Sequence, residues 1–282
     1  MDHEALQEIV CCMGQPVAGN PSQYMMEKAF AAAGLDWRYL TLEVSPDDLP
    51  AAVAGMQAMG FRGGNFTIPH KVAIIPHLAR LSEAAQLMGA VNCINFEDGG
   101  FTGENTDGKG FVTSLKEVID PEGKKVVLLG AGGAARAIGV EVGLNKAAEF
   151  VVVNRSAERG QDLANLLNDQ VKVPTTFAPW EGKYALPEDA DIVINATSIG
   201  LNDPSAMVPV DPTTFREGMV VADVIFNPPQ TPFLTAAQTA GCQTIDGLGM
   251  LVNQGVIGFK IWTGIDPDPA VMREALEEFL GI

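Results

Sequence analysis

Val126-Val127-Leu128-Leu129-Gly130-Ala131-Gly132-Gly133-Ala134-Ala135 is the stretch from which the fold can be read. Four apolar residues ending at a glycine predict a short buried strand. The small residues after them open a helical pattern. Strand, glycine turn and helix in that order predict the first βα unit of a dinucleotide-binding domain. Gly130 permits the tight turn, and Gly132 lets the backbone approach a pyrophosphate. Ala135 is small enough for the helix to pack close to the strand. Gly130, Ala131, Gly132, Gly133 and Ala134 are therefore candidate cofactor-binding residues, with the free N–H groups of the helix start facing the phosphates. A glycine-rich turn without a ligand is the competing reading, since a lone motif of this kind is weak.

The alternation continues on both sides. Residues 150–154 predict the next strand and 156–167 a helix, with further buried strands at 191–195 and 220–224. Upstream, 8–13 and 37–42 read as strands. Between them Asn20-Pro21 opens a helix, with Asn20 as its N-cap, and Gly34 closes it. Ser45-Pro46-Asp47-Asp48 repeats the helix-start signal. Residues 91–96 predict another strand, and Asp98-Gly99-Gly100 a turn. Short apolar runs alternating with helical patterns predict an α/β protein with parallel strands. The polar loop at 120–124 lies just before the strand at 126–129.

The chain has 282 residues, room for one large domain or two ordinary ones. Hydrophobic residues make up 47% and charged residues 19%, as in a folded globular protein. Asp and Glu number 35 against 18 Lys and Arg, a net charge of −17 that speaks against nucleic acid or an anionic membrane as partner. The start, Met1-Asp2-His3-Glu4, lacks the pattern of a signal peptide, so a cytoplasmic protein is expected. Cys11, Cys12, Cys93 and Cys242 form no CxxC pair and read as buried free thiols. With only His3, His70 and His77, a histidine-rich metal site is not expected.

The end of the second strand of the glycine-turn unit bears on the cofactor. NAD sites place an acidic residue there for the ribose 2′-hydroxyl. Here that place holds Asn154 and Arg155, with Arg159 four residues on. Guanidinium groups attract a 2′-phosphate, so the residues point to NADP, with NAD possible. Ordinary solvated arginines on a surface helix are the alternative.

Several blocks then become recognisable together. The first half carries Gly63-Gly64-Asn65-Phe66-Thr67-Ile68-Pro69-His70-Lys71, Gly89-Ala90-Val91-Asn92 and Gly103-Glu104-Asn105-Thr106-Asp107-Gly108. The second half carries Asn195-Ala196-Thr197-Ser198-Ile199-Gly200, Asp223-Val224-Ile225-Phe226-Asn227-Pro228 and 246–254. In this order they resemble the shikimate dehydrogenase family across nearly the whole chain.

The resemblance implies an N-terminal α/β substrate domain and a Rossmann-type doubly wound cofactor domain, with the active site in the cleft. The substrate domain would span 1–111 and be completed by C-terminal helices in 248–282. The NADP domain would span 112–247. The implied reaction is hydride transfer between a nicotinamide and 3-dehydroshikimate, shikimate or a close ring analogue, in the shikimate pathway of aromatic amino acid biosynthesis. The partner is then a small ring hydroxy acid, and the enzyme a monomer or homodimer. Lys71 matches the family's catalytic lysine and Asp107 its partner. An ammonium stabilises and then protonates the alkoxide that hydride addition creates, and a carboxylate orients it. Asn65, Thr67, Asn92 and Gln254 match positions that bind substrate hydroxyls. Thr197, Ser198 and Ile199 match one flank of the nicotinamide, and Gly247 and Met250 the other.

The chain departs from the family at the substrate-carboxylate site. There the family has Ser-x-Ser-Pro and a tyrosine; this chain has Asn20, Ser22, Gln23 and Phe226, while Cys93 replaces a common threonine. Each lost hydroxyl removes a hydrogen bond to an anion, worth about 1.5–3 kcal/mol. Either shikimate binds more weakly, or the substrate has shifted to quinate, aminoshikimate, a decarboxylated ring or another cyclic polyol. Two other classes compete. A methyltransferase would place an acidic residue where Asn154-Arg155 stands. A non-catalytic ring-acid sensor would lack Lys71 or Asp107, and both are present.

Overall fold

The computed structural model describes residues 6–282; Met1 to Ala5, His3 among them, lie outside the described residues. The chain divides into two units. One comprises residues up to Thr106 together with Gln254–Ile282, the other Asp107–Asn253.

The first unit opens with β1 (Glu8–Gly14), α1 (Ser22–Ala32) and β2 (Trp37–Glu43). Next come α2 (Leu49–Ala58), β3 (Gly63–Phe66) and the short α3 (His70–Ala73). β4 (Arg80–Leu81), α4 (Glu83–Met88), β5 (Cys93–Glu97) and β6 (Gly100–Glu104) complete its sheet. The strand order is β2-β1-β3-β5-β6-β4.

β1 pairs in parallel with β2 and β3, whereas β3–β5 and β5–β6 are antiparallel. The sheet is mixed, which corrects the expectation of parallel strands throughout. For the β5–β6 pair the cause is the two-residue turn Asp98-Gly99, with φ of 51° and 81°. Positive φ at both positions makes a tight hairpin, and a hairpin joins only antiparallel strands.

Two glycines seat β3 in the middle of this sheet. A Cβ on Gly63 would lie 2.5 Å from the Trp262 indole nitrogen, and one on Gly64 would lie 2.9 Å from the Cys11 sulfur. Edge strand β2 is covered by α1. Glu27 accepts from the Tyr39 N–H at 2.6 Å and Gln23 from the Thr41 N–H at 3.1 Å. Those N–H groups are then closed to another chain's strand.

The second unit starts within α5 (Thr106–Lys116). β7 (Lys125–Leu129), α6 (Gly133–Leu144), β8 (Glu149–Asn154), α7 (Ala157–Leu166) and β9 (Thr175–Pro179) run outward from the centre. β10 (Ile192–Asn195), β11 (Val220–Asp223), α8 (Pro232–Thr239) and β12 (Gln243–Ile245) fill the other side of β7. All six strands are parallel, in the order β12-β11-β10-β7-β8-β9. The valine- and isoleucine-rich strands at the centre are buried, as a parallel sheet covered on both faces requires. The winding reverses between β7 and β10, and ligands of such sheets bind at the carboxyl ends of the strands at that point.

The chain returns to the first unit within α9 (Gly247–Thr263) and ends with α10 (Pro269–Leu280). Both helices complete that unit's core. The Phe259 ring lies 5.2 Å from Phe30, Phe279 lies 5.9 Å from Tyr24, and the Trp262 N–H donates to Ile94 O at 2.8 Å.

Candidate active site

In the first unit, β1 and β3 end where β5 begins, and β6 ends opposite Cys93. One end of the sheet therefore carries four loops. These bear Asn20 and Ser22 after β1, Thr67 and Lys71 after β3, Asn92 before β5, and Thr106 after β6. Thr67 N–H donates to Met13 O at 2.9 Å, and Val91 N–H to Lys71 O at 2.7 Å. The motif residues are thus placed by backbone bonds to neighbouring strands.

Their side chains are oriented by one another. Asn65 Oδ1 accepts from the buried Tyr39 hydroxyl at 2.7 Å, while its Nδ2 donates to Asn92 O at 3.1 Å. One amide hydrogen of Asn65 remains able to donate. Asn92 Oδ1 accepts from Thr106 N–H at 2.7 Å, which fixes the residue before Asp107. Lys71 is half-buried on α3, and Asp107 is half-buried in the first turn of α5. Gln254 is buried on α9.

Cys12 lies beneath these residues, in register with Asn65. Burial pushes its thiol up to about 11, against the pull of the Tyr39 hydroxyl and the Lys71 charge. Sequence reading missed Tyr39 and Cys12 as parts of the site. Their only signal is a polar or sulfur side chain facing Asn65 from a neighbouring strand, visible once the register is known. All four cysteines are free and buried.

Asn20 behaves differently from a serine. The expected N-cap is displaced, because α1 begins at Ser22 with Pro21 before it. Asn20 Oδ1 instead accepts from the Ser22 N–H at 2.9 Å, and its Nδ2 donates to Cys12 Sγ at 3.7 Å. The first free N–H of α1, a natural anion donor, is thereby occupied by a side-chain carbonyl.

In the second unit Gly130 has φ of 107°, and a Cβ there would lie 3.0 Å from Ala196 O. Both facts require glycine. A Cβ at Gly132 or Gly133 would meet nothing within 4 Å, and α6 has no side-chain cap. Ala131 and Ala134 are half-buried, while Ala135 is fully buried against the sheet. An uncapped helix start behind open backbone fits a pyrophosphate. Asn154 ends β8, and its Nδ2 donates to Ser156 O at 2.8 Å. Arg155 and Arg159 are exposed on either side of the α7 N-cap, Ser156, and among the described residues neither forms an ion pair.

After β10 come half-buried Thr197, exposed Ser198 and half-buried Ile199; Phe226, after β11, is half-buried. A Cβ at Gly247 would lie 2.5 Å from Ile225 O, so glycine lets α9 start against the end of β11. Met250 is half-buried on the first turns of α9. Among the described residues no group of three or more His, Cys, Asp or Glu could hold a metal, and no helix is long and apolar enough to cross a membrane.

Three family models match in chain order. They are the shikimate dehydrogenase substrate binding domain over residues 12–94, shikimate / quinate 5-dehydrogenase over 114–202 and the shikimate 5′-dehydrogenase C-terminal domain over 247–277. The shikimate dehydrogenase (NADP(+)) of Moorella thermoacetica is 43% identical over 97% of this chain and 94% of its own. The chain belongs to the shikimate dehydrogenase family. It is an oxidoreductase of the type that acts on a hydroxyl group.

Two solved structures are similar to nearly the whole chain. Shikimate 5-dehydrogenase from Listeria monocytogenes, in complex with shikimate and NAD, superposes with a TM-score of 0.90 at 33% identity, covering 96% of each chain. The ligand-free 5-ketofructose reductase of Gluconobacter sp. strain CHM43 superposes with a TM-score of 0.95 at 50% identity, covering 97% of this chain and 99% of its own.

Proposed function

We propose that this enzyme transfers hydride between NADP(H) and a ring polyol or its ketone, of the shikimate and 3-dehydroshikimate kind, and that its preferred substrate has no carboxylate. The observation that carries the second part is the bond from Ser22 N–H to Asn20 Oδ1 at 2.9 Å. It turns a carbonyl oxygen toward the place where relatives have a serine hydroxyl, and acceptors repel a carboxylate. Phe226, with no hydroxyl, agrees with it. So does the 50% identity to a reductase whose named substrate, 5-ketofructose, is a polyhydroxy ketone without a carboxylate.

The first unit is the substrate domain and the second the NADP domain. Asn65, Thr67, Asn92 and Gln254 bind substrate hydroxyls; Asn20 and Ser22 stand where relatives take a carboxylate, and Phe226 stands where the family has a tyrosine. NADPH, when bound, supplies the hydride. Lys71 Nζ protonates the developing alkoxide, and Asp107 orients the ammonium. Residues 130–134 hold the pyrophosphate. Asn154, Arg155 and Arg159 take the 2′-phosphate, and Thr197, Ser198, Ile199, Gly247 and Met250 enclose the nicotinamide.

Initial rates of NADPH oxidation with 5-ketofructose and 3-dehydroshikimate, side by side, test the substrate. Each missing hydrogen bond to an anion is expected to contribute about 10–100-fold to a kcat/KM advantage for the uncharged ketone. An advantage for 3-dehydroshikimate would return the enzyme to shikimate itself, the reading favoured by the 43% identical Moorella relative.

Arg155→Asp tests the cofactor. Losing a guanidinium–phosphate bond and adding a like charge should cut the NADP-to-NAD preference by about 10–100-fold. An unchanged ratio of kcat/KM values would remove Arg155 from the 2′-phosphate site.

A further inference from the structure

The loop after β10 carries Thr197, Ser198 and Ile199, and its shape is set from the neighbouring strand. Asp223, the last residue of β11, is 1% exposed. Its Oδ1 accepts from the Asn195 amide at 2.9 Å and from Ile225 N–H at 3.1 Å, and its Oδ2 accepts from the Thr231 hydroxyl at 2.8 Å. Among the described residues it forms no ion pair. Burial raises its carboxyl above the ordinary value, while these three bonds pull the other way. A buried carboxylate held only by neutral donors is costly to solvation, so its presence calls for a task.

Asn195 ends β10 in register with Asp223 and is fully buried. An ionised carboxylate only accepts hydrogen bonds, so it dictates which end of the Asn195 amide faces it. Nδ2 turns to Asp223, and Oδ1 is left to accept from the Thr197 hydroxyl at 2.7 Å and the Thr197 N–H at 3.2 Å. The Thr197 oxygen then accepts from Ile199 N–H at 3.1 Å. On its other side Asp223 holds Ile225, next to Phe226, and Thr231, which caps α8 through Leu234 N–H at 3.3 Å.

We infer that Asp223 is a positioning residue for the nicotinamide end of the cofactor, acting through Asn195 and Thr197 on the loop that carries Ile199. The inference rests on the reading above that this loop flanks the nicotinamide. It assigns the adenosine end no dependence on Asp223, because the Gly130 turn and the Arg155 region share none of these bonds.

Binding measurements separate the two ends. NADPH is titrated by its nicotinamide fluorescence, and 2′,5′-ADP, which has the 2′-phosphate and adenosine but no nicotinamide, by calorimetry. Asp223→Ala removes both acceptor oxygens. It should weaken NADPH by about tenfold and abolish the fluorescence rise, leaving 2′,5′-ADP within about twofold. Asp223→Asn keeps an oxygen for Asn195 and Ile225, and the Thr231 hydroxyl can rotate to accept from its amide, so this variant should bind NADPH nearly as the parent does. Thr197→Val, at the half-exposed end of the relay, should reproduce the split even if Asp223→Ala does not fold.

Equal weakening of both ligands, or of neither, in Asp223→Ala overturns the inference. So does an asparagine variant as impaired as the alanine one, or Thr197→Val without the split. Ile199→Ala tests the reading beneath it. If that variant leaves NADPH binding unchanged, the loop does not meet the nicotinamide. If it weakens NADPH alone while Asp223→Ala does not, the loop is correctly placed and Asp223 does not position it.

Discussion

Lys71→Ala should lower kcat by about 10²–10⁴-fold in either direction, the usual contribution of a positioned general acid–base group. Hydride arriving at a carbonyl carbon leaves an alkoxide that needs charge stabilisation and a proton, and a positioned ammonium can supply both. The side chain is half-buried, and its charge is felt by the Cys12 thiol on the floor of the first unit's site. The bond that places Lys71, from Val91 N–H to Lys71 O at 2.7 Å, is a backbone bond and survives the substitution. Stability should therefore change little, and NADPH affinity should hold, since the lysine lies in the first unit and the glycine turn in the second. Steady-state rates alongside thermal melting and NADPH titration check this. A variant that keeps a third of parental kcat would remove Lys71 from the chemical step.

The second large effect is a change of substrate. Asn20→Ser with Phe226→Tyr should raise kcat/KM for shikimate by about 10²–10⁴-fold, from two restored hydrogen bonds to an anion at about 1.5–3 kcal/mol each. Asn20→Ser also withdraws the carbonyl oxygen that occupies the Ser22 N–H, now 2.9 Å away. That N–H begins α1, where the helix dipole favours negative charge. The same pair of changes should depress turnover of 5-ketofructose, which has no anion to use the new donors. Rates of NADP⁺ reduction by shikimate in the parent and the double variant decide the matter. An unchanged shikimate rate would mean that neither position governs the carboxylate end.

The doubly wound sheet is legible in the sequence. A strand such as 126–129 is apolar on both faces, so its burial is written in consecutive residues. Gly130 needs positive φ, and glycine is the residue that adopts it freely. Both signals are local. Family resemblance in six blocks added the two-domain plan, which the family models and solved relatives support.

β3 was not legible. Gly63-Gly64 has no apolar periodicity, and glycine disfavours strands; the pair is required because the Trp262 indole and Cys11 approach the backbone from segments distant in sequence. The mixed sheet was only half visible, since Asp98-Gly99-Gly100 predicted a turn without saying which strands it would pair.

For the candidate site, motifs named residues but could not aim them. A sequence shows Asn20 where a serine is expected, yet not that its carbonyl turns onto the Ser22 N–H. It shows Asn65, yet not that the Tyr39 hydroxyl takes its acceptor, because Tyr39 lies 26 positions away on another strand. Nothing in the 223–228 block shows a task for Asp223, whose partners Asn195 and Thr231 are joined to it by strand register and the start of α8. The sequence by itself determined the central strands of the doubly wound sheet, the cofactor fold and the types of group available for chemistry, since those follow from neighbours in the chain. Which atom of each polar group faces a substrate was decided only by the tertiary structure, because a hydrogen bond depends on direction and its partners come from elsewhere in the fold.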